Sequence, residues 1–81
     1  MEGAEWIKTV ILEAFRNAAP HLCEPSKIRE LIEDIVRQAT SMSGVISRLQ
    51  EEVTKRNAAT ERTDLKIFLL FLEREFRKRE T

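Results

Sequence analysis

The sequence predicts an all-α protein, a small antiparallel bundle of three to four helices that associates as a helical dimer. Three observations predict this. Apolar residues recur at helical spacing in four successive stretches, separated by short breaks rich in Pro, Ser, Gly and Asn. Six consecutive apolar residues, Ile67 to Leu72, sit between strongly charged flanks. On a helix they point in every direction, so burial on all sides is required, by the chain itself or by a second copy. Finally, 81 residues form one domain, 1–81, whose core is marginal without a staple. The single cysteine and single histidine supply neither a disulfide nor a common zinc site. Oligomerisation is the staple that remains.

The first helix is expected over about 4–18. Ile7, Ile11, Phe15 and Ala18 share a face, Trp6, Val10 and Ala14 widen it, and Pro20 disfavours helical geometry at Ala19. The second, over 25–40, opens with Pro25 at its first position and Glu24 before it as a modest cap. Ile28, Leu31, Ile32, Ile35, Val36 and Ala39 form its apolar face, and the opposite face is polar throughout. Thr40-Ser41-Met42-Ser43-Gly44 reads as a break in which Ser41 or Ser43 caps a third helix, over 43–57. That helix carries a thin stripe of Val45, Ile46, Leu49 and Val53. The fourth, over 63–78, is expected to start at Thr63-Asp64 as its cap and to be the central element. Leu65, Phe68, Leu69, Leu72 and Phe76 face one surface, and Ile67, Leu70 and Phe71 form a second patch.

Fourteen basic and fourteen acidic residues cancel. Residues 1–40 carry five Lys/Arg against seven Asp/Glu, and 41–81 carry nine against seven, an asymmetry too slight to imply an anionic partner. The apolar run is far shorter than the ~20 residues a bilayer requires, so no membrane partner is expected. The acidic start Met1-Glu2-Gly3-Ala4-Glu5 lacks the pattern of a signal peptide. The expectation is an intracellular protein, cytoplasmic or nuclear.

No residue pattern points to catalysis, a metal, a cofactor or a small-molecule substrate. His21, Cys23 and Glu24 lie together in a linker, with no second ligand cluster elsewhere. Glu33-Asp34 and Glu51-Glu52 are adjacent pairs on polar faces, which reads as solvated surface. Residues 41–53 have the cadence of a helix-turn-helix unit, nominating Ser41, Ser43, Ser47 and Arg48 for base contacts. Arg74, Arg77, Lys78 and Arg79 form a basic end able to meet phosphates or an acidic partner. Glu73, Glu75 and Glu80 dilute its field, and cations in a last helical turn are favourable in any case.

The functional expectation is therefore a non-enzymatic self-association and protein–protein interaction module. Ile67, Leu70 and Phe71 are expected at the dimer interface, with the charged faces left for another protein. The alternative is a small nucleic-acid-binding regulator using residues 41–53 or the basic end 74–79.

Overall fold

The computed structural model describes residues 2–38 and 40–80, with side chains for 5–38 and 40–78. Four helices follow one another: α1 (Glu2–Ala18), α2 (Pro25–Gln38), α3 (Met42–Lys55) and α4 (Ala59–Glu80). A single 3-10 turn, Ala19–His21, continues α1 and carries Pro20. The chain is all-α over the described residues, as the periodicity of its apolar residues requires. Ala39, expected on the apolar face of α2, and the side chain of Arg79 lie outside them.

Each helix turns one stripe inward. α1 buries Ile7, Val10, Ile11, Ala14 and Ala18, and α2 buries Ile28, Ile32 and Ile35. α3 buries Met42, Val45 and Leu49, and α4 buries Leu65, Phe68 and Leu72. α4 approaches all three other helices and runs longest against α1, while α2 comes close to its neighbours at few points. The beginning of α1 meets the end of α4 through Trp6 and Phe76, whose rings pack edge to face at 5.7 Å. The central position of α4 accommodates its apolar run. Phe68 and Leu72 point into the core, Ile67, Leu69 and Phe71 are half-buried on its flanks, and Leu70 alone faces solvent. The chain itself therefore covers most of the surface for which a second copy was expected.

The capping residues partly depart from expectation. Ser41 caps α3, its Oγ accepting the Gly44 N–H at 3.1 Å. α4, however, begins at Ala59, so Thr63 and Asp64 lie within the helix and do not start it. Asp64 is almost wholly buried and serves a different helix. The backbone N–H groups of Cys23 and Glu24 donate to its two carboxylate oxygens, each at 2.9 Å. The chain leading into α2 is thus pinned to α4, with a negative charge near the positive end of the α2 dipole. The Glu24 carbonyl accepts the first helical N–H groups, from Lys27 and Ile28. Its side chain reaches Lys27 Nζ at 3.4 Å.

Candidate interaction surface

α1 and α2 leave a recess of about 560 Å³ between them. Its apolar lining is Leu12, Phe15, Ala19 and Ile32, and its rim is Arg16, Arg29 and Glu33. Ile32 is buried at the bottom, Phe15 and Ala19 are half-buried, and Leu12 stands 51% exposed at the mouth. The recess exists because Leu12 lies one step off the stripe that α1 turns to the core and Ala19 opens the 3-10 turn after it, on the side where α2 approaches only lightly. The rim ion pairs are local and exposed: Arg16 to Glu13 at 3.8 Å and Arg29 to Glu33 at 3.5 Å. Sequence reasoning missed this surface. It placed Phe15 and Ile32 in the core and gave Leu12 no role, although Leu12 is a large aliphatic residue outside the stripe.

The expected interface residues on α4 are not equivalent. Leu70 is 56% exposed, while Ile67 and Phe71 are half-buried and pack against the core. The Phe71 ring stacks with His21 at 5.4 Å, and the Arg74 guanidinium lies 5.6 Å from the ring centre. His21 thus packs on an aromatic ring of α4, and Cys23 is exposed. Among the described residues no three His, Cys, Asp or Glu side chains are grouped to hold a metal ion.

Arg48, nominated for base contacts, is tied down instead. Its guanidinium donates to Glu52 at 3.2 Å, Asp34 at 3.3 Å and Gln38 at 3.2 Å. The bond to Glu52 and, after it, the one to Asp34 raise its pKa above the ordinary arginine value. Glu52 is not the solvated residue expected from its place in the sequence. It is buried, and its other oxygen accepts from Arg56 at 2.9 Å. The chain of charges continues from Arg56 to Glu61 at 3.8 Å and from Glu61 to Lys27 at 3.3 Å. Lys27 lies between Glu61 and Glu24, whose hydrogen bonds raise its pKa above the ordinary lysine value. Together these pairs bind α2, α3 and α4 along one edge. Of the basic end, Arg74 lies on Phe71, Arg77 is exposed, and Lys78 pairs with the buried Glu75 at 3.5 Å.

The MJ1579 family model matches residues 8–77, from within α1 to within α4. The chain belongs to this family. No curated protein and no solved structure matches it. The matched span takes in both the α1–α2 recess and the exposed Leu70 of α4. No helix among the described residues is long and apolar enough to cross a membrane.

Proposed function

We propose that the chain is a non-enzymatic protein–protein interaction module that pairs with a second copy of itself. The observation that carries this reading is the apolar surface left outside a filled core. Leu12 and Leu70 are each more than half exposed, and Leu12 stands beside further apolar side chains in an open recess. A single exposed leucine is ordinary, but one at the mouth of an apolar recess is a surface that a partner can bury. Burying such a side chain stabilises a complex by roughly 1.5–3 kcal/mol before the cost of association. The charged outer face of α3 then remains for another protein. Nucleic-acid binding has less support, because Arg48 is engaged by Asp34, Glu52 and Gln38.

Sedimentation equilibrium across a dilution series, at low and high salt, tests the reading. Apolar pairing predicts a mass that rises with concentration toward twice the 9.5 kDa of one chain and changes little with salt. One chain mass at every concentration overturns it.

A further inference from the structure

A two-fold contact uses the same patch on both copies, so the patch must be complementary to itself. It needs a projection and a recess side by side, and any charges on it must be of both signs. The α1–α2 face has each of these. Leu12 projects beside the recess floored by Phe15, Ala19 and Ile32. The rim presents Arg16 and Arg29 together with Glu33, and Glu13 lies beside Arg16. A face of one sign would repel its own copy, whereas this one can set cation against anion across the axis. Its present ion pairs are long and exposed, so exchanging them for intermolecular ones costs little.

The α4 face has a projection and charges of both signs but no apolar recess beside them. Leu70 has Lys66, Glu73 and Arg74 among its nearest helical neighbours. The recess on the flank of α4, about 250 Å³, does not include Leu70 and surrounds Phe71 with Asn17, Arg74, Glu75 and Lys78. It offers a projection without an apolar floor to receive it.

We propose that two copies of the chain meet through the α1–α2 face, the Leu12 of each seated in the recess of the other. This rests on the self-association reading and assigns its place. The recess is already open between the helices, so pairing requires no rearrangement of the core.

Light scattering on Leu12→Glu and Leu70→Glu variants of the full chain tests the assignment, with circular dichroism to follow the fold. Glutamate suits both positions in a monomer, having a basic residue four positions away on either side: Lys8 and Arg16, or Lys66 and Arg74. Leu12→Glu is expected to raise the dissociation constant by roughly thirtyfold or more, and Leu70→Glu to leave the dimer in place. Should Leu12→Glu lose helix content, the exposed rim variant Glu33→Lys decides in its stead, since it leaves three cations facing their own copies. A dimer that survives the α1–α2 variant overturns the assignment. So does one dissociated by Leu70→Glu, alone or together with Leu12→Glu. A wild-type chain that never dimerises overturns the self-association reading itself, which separates the two failures.

Discussion

The two edges of the bundle are held by different forces. Along the α1–α4 edge the contacts are aliphatic and aromatic: Ile7, Val10, Ile11 and Ala14 of α1, Phe68 and Leu72 of α4, with the Trp6–Phe76 ring pair at one end. Along the edge that α2 shares with α3 and α4, a row of three buried isoleucines is supplemented by charge. Asp64 holds the entry to α2, Arg48 joins Asp34 to Glu52, and Lys27 joins Glu24 to Glu61. α2 has the most one-sided sequence of the four helices and the fewest close approaches to its neighbours. An amphipathic helix with a single narrow stripe buries little else, and polar ties supply its remaining attachment. The same loose fit leaves the recess beside α1 open.

Disrupting the apolar edge should have the largest effect. Phe68→Ala removes a fully buried ring and is expected to lower stability by about 3–5 kcal/mol, read from the urea midpoint. At the start of α2, Asp64→Ala leaves the Cys23 and Glu24 amides without their acceptor. A loss of about 1–3 kcal/mol is expected, with hydrogen exchange rising first in α2. In Glu52→Gln the arginines lose their charged partner but can reach water, so a loss of about 1 kcal/mol is expected, shrinking in 1 M salt. Phe68→Ala should show no such salt dependence. An equal salt response in both variants would contradict the division between the edges.

The smallest effect concerns Lys27. Because its pKa is raised in the folded chain, its contribution is present below the ordinary value of 10.5 and is lost as pH climbs through the folded value. A small decline in melting temperature above about pH 10.5, reduced in Lys27→Met, is the expected outcome.

Much of this fold is legible in the sequence because helix positions follow from local spacing. The stripes of α1 and α2, the Pro25 start and the Ser41 cap depend on residues within a turn or two of one another. What could not be read depends on residues far apart. Asp64 looks like a local cap, yet it accepts from amides some forty positions earlier in the chain. Glu52 looks solvated until the partners that Arg48 gains on α2 draw that side chain across it. The six-residue run of α4 announces burial on all sides but not who provides it, and three packed helices provide nearly all. The α1–α2 recess leaves no mark in either helix taken alone, since it is a space between two stripes.

The most direct test follows methyl signals by NMR as a concentrated sample of the protein is diluted. The account predicts that Leu12 and Ile32, at the mouth and floor of the recess, shift with dilution while Leu70 stays still. A moving Leu70 with a silent Leu12 and Ile32, or no movement at all, would contradict it.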